Sequence, residues 1–249
     1  MITKTHNRMS SADSAERYDG KQFSILGDSI STFEGCNPEG YNLFYCGENC
    51  SATGVVSQER TWWYQVIHPL GGSLLVNNAW SGSRIARSPD QAVQFPAACS
   101  DERTNGLHHG DIRPDVVIIF MGTNDWFFEV PLKTGILSHI GTRRDDTEFG
   151  YAYDLTLKKL RANYPLAEVW CCTLGEAYIA DHTEFAFPWG HTGLPLSQYN
   201  QVIRKCAVRR KCRLVDLAAL HEPYASLDGA HPTAEGMTQI ADMICRSII

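Results

Sequence analysis

Five short stretches rich in Val, Ile, Leu and Phe, at residues 23–26, 74–77, 116–121, 168–173 and 213–217, are set apart by longer segments that carry apolar residues on one face. Those longer segments cover 61–70, 148–164 and 196–210, with a last one at 233–248. The short runs read as strands and the long ones as helices. Strands that alternate with helices imply crossover connections, because a parallel neighbour can be reached only after the chain returns to the starting edge of the sheet. The pattern predicts an α/β fold, a three-layer α/β/α sandwich with helices on both faces of a five-stranded parallel sheet. Residues 21–249 read as one domain of this kind, and residues 1–20 as a polar N-terminal segment.

Two regions break the alternation. Residues 34–59 are rich in Gly, Asn, Tyr and Cys, and residues 126–147 follow the third strand. Both read as long loops, with 185–195 as a shorter companion. Structureless stretches of that length in a compact domain commonly serve as binding loops or lids, so substrate selectivity is expected there. The last helix is expected to start just after His231, with Thr233 as its cap and Glu235 in its first turn.

Several function classes are excluded at this level. The formal charge of -6 comes from interspersed acidic and basic residues, which leaves no basic footprint for a nucleic acid. The longest strongly apolar run, 116–121, is far shorter than the roughly 20 residues that span a bilayer. Residues 1–20 lack the apolar centre of a secretory signal, so a cytoplasmic address is the default expectation. The nine cysteines are odd in number and none has Cys-x-x-Cys spacing, so they are expected to be thiols. The cluster of Cys36, Cys46 and Cys50 leaves a small opening for a disulfide or a metal.

The chemistry-bearing residues lie at strand ends. The first strand runs into Gly27-Asp28-Ser29, which puts a serine at the edge where open α/β sheets bind ligands. A serine hydroxyl is a weak nucleophile near neutrality and needs a histidine base held in the useful tautomer by a third group. Asp228 and His231, three residues apart before the last helix, supply such a pair. Asn124, in Gly122-Thr123-Asn124-Asp125 after the third strand, can offer a side-chain amide to a developing oxyanion. Gly82, after the second strand, can offer a backbone N–H where a substrate approaches closely. Taken singly, each of these motifs also occurs as an ordinary turn or cap.

Together, Gly27-Asp28-Ser29, Gly82, Gly122-x-Asn124-Asp125 and Asp228-x-x-His231-Pro232 resemble, in order, the four blocks of the SGNH, or GDSL-type, hydrolases. The resemblance extends from about Phe23 to the C-terminus. It implies a flavodoxin-like sheet, a triad of Ser29, His231 and Asp228, and an oxyanion hole made by Ser29 N–H, Gly82 N–H and the Asn124 amide. It implies no metal and no organic cofactor. Ser31 stands where the Gly-x-Ser-x-Gly elbow of α/β-hydrolases has its second glycine, which argues against that other esterase class.

The expected partner is a small-molecule ester, with no nucleic acid and no membrane. Trp80 and Trp126 adjoin two of the expected oxyanion residues and are assigned to substrate binding; Trp62, Trp63, Phe127, Phe128 and Trp189 can extend an aromatic wall. SGNH-like enzymes act on acetylated sugars, short acyl esters, lysophospholipids and thioesters, and no long acyl channel is legible here. A small acyl group, such as acetyl on a carbohydrate, is the favoured substrate. Acyl transfer through the same acyl-enzyme, or a catalytically inert ligand-binding domain of the same fold, are the alternatives.

Overall fold

The computed structural model describes residues 16–90, 95–132, 145–188 and 191–248. Strands β1 (Gln22–Gly27), β2 (Ser73–Ala79), β3 (Val116–Phe120), β4 (Glu168–Cys172) and β6 (Arg213–Val215) form a parallel sheet in the order β2-β1-β3-β4-β6. Counting only these five strands, the order is 2-1-3-4-5, that of a flavodoxin-like sheet. All five residues of β3 are buried, as its unbroken Val-Val-Ile-Ile-Phe run requires of a strand covered on both faces. Each such side chain removed from water contributes on the order of 1.5–3 kcal/mol.

The helices cover the sheet in two sets. Helix α2 (Trp62–Ile67) packs on α7 (Ala234–Ile248), while α5 (Phe149–Asn163) packs on α3 (Asp101–Asn105) and on α6 (Leu196–Arg210). In α5 the buried residues Phe149, Ala152, Tyr153, Thr156, Leu157 and Leu160 recur at helical spacing and form one inward stripe. Tyr164 ends that helix because the following Pro165 pushes it out of the helical region, to φ -130 and ψ 67. Thr233 Oγ1 accepts from Gly236 N at 3.2 Å and so caps α7, where a cap was expected.

One expectation about loops is corrected. Residues 34–59 hold helix α1 (Glu48–Thr53) and a 3-10 turn at Gln58–Arg60, and are tied to the sheet by Asn37, whose Nδ2 donates to Asn77 O at 3.1 Å and Ala79 O at 2.9 Å. Of residues 126–147, the first two end helix α4 (Thr123–Phe127), 128–132 and 145–147 carry no helix or strand, and 133–144 lie outside the described residues. A second, two-stranded parallel sheet pairs β5 (Ala177–Ile179) with β7 (Tyr224–Ser226) just before the Asp228–His231 turn. All nine cysteines are free thiols. Among the described residues, no three His, Cys, Asp or Glu side chains assemble into a metal-donor set, and no helix is long and apolar enough to cross a membrane.

Candidate active site

The level ends of three neighbouring strands build the floor of the site. Gly27 pairs in register with Ala79 of β2 on one side and Phe120 of β3 on the other, so the segments that follow these strands emerge side by side. Trp80 N donates to Gly27 O at 3.2 Å, and Ser83 Oγ to the same carbonyl at 3.4 Å, which draws the second segment against the first. A Cβ on Gly27 would stand 2.8 Å from Ser31 Cβ and 3.1 Å from Ala79 Cβ, so glycine is needed where the Ser29 turn folds back on the sheet.

Ser29 opens a 3-10 turn, Ser29–Ser31, capped by Asp28, whose Oδ1 accepts from Ile30 N at 3.1 Å. The far end of the turn is pinned by three donors: Asn77 Nδ2 to Ser31 O at 2.7 Å, Trp63 Nε1 to Ser31 O at 3.1 Å and Trp62 Nε1 to Ser31 Oγ at 3.2 Å. Trp62 and Trp63 are therefore buried supports of the Ser29 turn and not part of an aromatic wall.

The histidine turn is built from β7. Ser226 Oγ donates to Tyr178 O at 2.8 Å and accepts from Gly229 N at 2.9 Å, Leu227 N donates to His231 O at 2.8 Å, and Tyr224 OH donates to Ala230 O at 2.9 Å. Asp228 Oδ1 takes the N–H groups of Ala230 and His231 at 3.0 and 2.8 Å, leaving Oδ2 to meet His231 Nδ1 at 2.7 Å. On the opposite side of the ring, His231 Nε2 lies 2.9 Å from Ser29 Oγ. Burial alone would raise the Asp228 carboxyl, but the bonds from the His231 ring and the two backbone N–H groups outweigh it and hold the pKa below the usual carboxylate value.

Asn124, in the first turn of α4, is half-buried, and its Nδ2 donates to Ser83 O at 2.9 Å, which fixes the amide plane and leaves its second N–H free to point elsewhere. Gly82 adopts φ +81, a conformation that suits glycine, and among the described residues neither its N–H nor that of Ser29 has an acceptor. Asp125 is fully buried and accepts from Ile85 N at 2.8 Å and Ala86 N at 2.9 Å, so it staples the segment after Gly82 to α4. Burial pushes its carboxyl up to about 7, and that of Asp28 up to about 6.

The two tryptophans assigned to substrate binding part company. Trp80 is half-buried, with its ring 4.2 Å from that of Tyr41. Trp126 is only 1% exposed; its Nε1 donates to Leu194 O at 2.9 Å and its ring meets those of His191 and Phe187 at 4.3 and 5.3 Å. An indole so covered presents no face to a ligand, and it anchors Phe187, His191 and Leu194 instead. Phe127, the last residue of α4, and Phe128, which follows it, are exposed. Trp189 lies outside the described residues.

Other residues of the site gave no signal in the sequence. Phe44 lies flat on the His231 ring with centroids 3.5 Å apart, and Tyr45 OH donates to Pro232 O at 2.8 Å. Arg103, fully buried beneath the strand ends, donates to Gly27 O and Asn78 O at 3.0 and 2.8 Å and to Asn78 Oδ1 at 2.6 Å. Phe44 and Tyr45 lie in a stretch read as a loop and Arg103 in one given no element, so no periodicity marked them.

A flavodoxin-like sheet with a serine and an asparagine at the carboxyl ends of its strands, and an Asp–His pair on the turn before the last helix, is the arrangement of the SGNH class of hydrolases. Residues 21–183 match the model of the GDSL-like lipase/acylhydrolase family, and the chain belongs to that family. The match ends before Asp228 and His231, which stand on the geometry described above. Among solved structures, the chain is similar to a Bacteroides ovatus protein described as a GDSL-like lipase, with 25% identity, a TM-score of 0.68 and coverage of 91% of this chain and 96% of that one. A Bacteroides uniformis protein of the same description is 24% identical, with a TM-score of 0.67 and coverage of 92% and 95%. A family two carbohydrate esterase from Clostridium thermocellum, solved with cellohexaose, shares the fold at 21% identity, with a TM-score of 0.56 and coverage of 93% and 64%. No curated protein matches the chain.

Proposed function

We propose that this hydrolase is a serine esterase in which Ser29 attacks the ester carbonyl, His231 carries the proton and Asp228 orients the histidine. The observation that carries the reading is the unbroken chain Ser29 Oγ, His231 Nε2, His231 Nδ1, Asp228 Oδ2, with links of 2.9 and 2.7 Å. Each partner group has the one contact its role requires: a base within reach of the hydroxyl and a carboxylate that selects the tautomer with the proton on Nδ1.

In the first half-reaction the Ser29 Oγ–carbon bond forms while His231 Nε2 takes the hydroxyl proton. The tetrahedral oxyanion faces Ser29 N–H, Gly82 N–H and the free N–H of Asn124. As it collapses, the carbon–alkoxide bond breaks and His231 protonates the departing alcohol. Water, deprotonated by the same nitrogen, then releases the acid and restores the serine. Loss of activity on the acid side follows, because a protonated imidazole is no base.

The favoured substrate is a short acyl ester, with acetyl on a carbohydrate first among the candidates. The half-buried Trp80–Tyr41 pair next to Gly82 offers an aromatic surface of the kind that sugars stack on, and the carbohydrate esterase among the fold relatives points the same way. A panel of 4-nitrophenyl esters from acetyl to octanoyl, together with acetylated oligosaccharides, tests this. The reading requires acetyl to be turned over fastest and Ser29→Ala to be inactive on every ester; preference for octanoyl would overturn the substrate assignment.

A further inference from the structure

The insertion after β1 bridges the two halves of the candidate active site. Phe44 N donates to Thr32 Oγ1 at 3.0 Å, and Thr32 Oγ1 donates to Ser29 O at 2.9 Å, so the Phe44 backbone is two hydrogen bonds from the nucleophile. The next residue reaches the other half: Tyr45 is buried, and its hydroxyl donates to Pro232 O, one peptide beyond His231. Asn49 Nδ2 donates to Phe44 O at 3.0 Å, and Glu34 N to Tyr45 O at 3.0 Å, so the dipeptide is fixed from its own loop as well.

Held in this way, the Phe44 ring lies parallel to the His231 imidazole, with an interplanar angle of 5° and centroids 3.5 Å apart. That separation is about the closest at which carbon atoms pack, so one ring sits directly over the other with almost no sideways offset. Two neutral aromatic rings disfavour this arrangement, because their negative faces confront each other; they prefer an offset or an edge contact. A cation over the ring face is attracted by the same quadrupole. The stack is thus suited to the imidazolium and poorly suited to the neutral imidazole.

We propose that Phe44 is a positioning residue of the hydrolysis: its ring face holds His231 in the plane that reaches both Ser29 and Asp228, and stabilises the imidazolium formed when His231 takes the serine proton. This rests on the assignment of Ser29 and His231 made above. Phe44 touches no reacting bond and acts through the histidine. The insertion it belongs to, expected from its composition to choose the substrate, has this second task. Among the described residues, the titratable groups that act on the imidazole or on its partner carboxylate are Asp228 on its own turn, Asp28 on the Ser29 turn, and Tyr45 on the insertion and Tyr224 on β7, which face Asp228. All four stay in place in the variants below.

The test replaces residue 44 by pentafluorophenylalanine, which keeps the ring's shape and reverses its quadrupole, alongside Phe44→Leu and Phe44→Tyr. Two quantities are read: kcat against pH on 4-nitrophenyl acetate, and the titration midpoint of the His231 ring protons by NMR. The fluorinated and Leu variants are expected to lose about 2- to 30-fold in plateau kcat, the range that a cation–π contact supports. Their acid limb and ring midpoint both move to lower pH, and Phe44→Tyr restores wild-type behaviour. A merely structural ring would lower kcat without moving the midpoint. If the fluorinated variant matches wild type in midpoint, or moves the midpoint with kcat unchanged, the proposal is overturned. Failure of the serine-hydrolase reading is separately visible, as full activity in Ser29→Ala.

Discussion

The guanidinium of Arg103 donates to the carbonyl of Gly27 at 3.0 Å, two residues before Ser29, from a position with no exposed surface. It also donates to Asn78 O at 2.8 Å and Pro96 O at 3.2 Å, so one side chain ties together the ends of β1 and β2 and the segment before α3. Burial lowers its pKa to about 10, which still leaves it charged near neutrality. Of its acceptors, Gly27 O is also met by Trp80 N and Ser83 Oγ, whereas Asn78 Oδ1 takes the Arg103 Nε–H at 2.6 Å.

Arg103→Leu is expected to destabilise the protein by about 3–5 kcal/mol, because it takes a buried donor from Asn78 O, Asn78 Oδ1 and Pro96 O at once. Urea unfolding of the two proteins measures this. Arg103→Lys is expected to fall between them, since an ammonium cannot span the same acceptors as a planar fork. A loss under about 1 kcal/mol for Arg103→Leu would mean that water replaces the guanidinium at no cost.

Asn124→Ala is expected to lower kcat by about 10²- to 10³-fold with little change in KM, because the amide meets an oxygen that carries charge only in the transition state. Steady-state kinetics on 4-nitrophenyl acetate decide it. An unchanged kcat, or a loss confined to KM, would remove Asn124 from the oxyanion site.

Much of the fold was legible in the sequence because the period of its apolar residues matches the elements that formed. Residues 196–210 were read as a helix and α6 has those bounds; α5 lies within one residue of its expected limits at each end. The strand cores were legible because β1, β3 and β4 are nearly continuous apolar runs. Strands β5 and β7 are three residues each, too short to show a period. The insertion at 34–59 was opaque because its order comes from distant contacts, such as Asn37 on β2 and Tyr45 on Pro232, and not from local propensity. Trp126 shows the limit of proximity in sequence: two residues beyond Asn124 on a helix, it packs on Phe187, His191 and Leu194 and is buried there.

Asp125 gives a pH-dependent stability with a definite sign. Its carboxyl lies near the ordinary value of about 3.9 in the unfolded chain and is raised to about 7 in the fold by burial. Between those values the folded state binds more protons than the unfolded one, so its contribution to stability falls as pH rises from about 4 through about 7. Asp125→Asn lacks this titration. The stability of wild type relative to Asp125→Asn is therefore expected to be greater at pH 5 than at pH 8 in urea unfolding, and a flat or inverted difference would contradict the assignment.

The most direct measurement is intact-protein and peptide mass spectrometry after exposure to a serine-directed fluorophosphonate. The account predicts a single adduct, located on Ser29, that is absent from Ser29→Ala and forms far more slowly in His231→Ala. Undiminished labelling of folded Ser29→Ala, or no labelling of the folded wild-type chain, would contradict it.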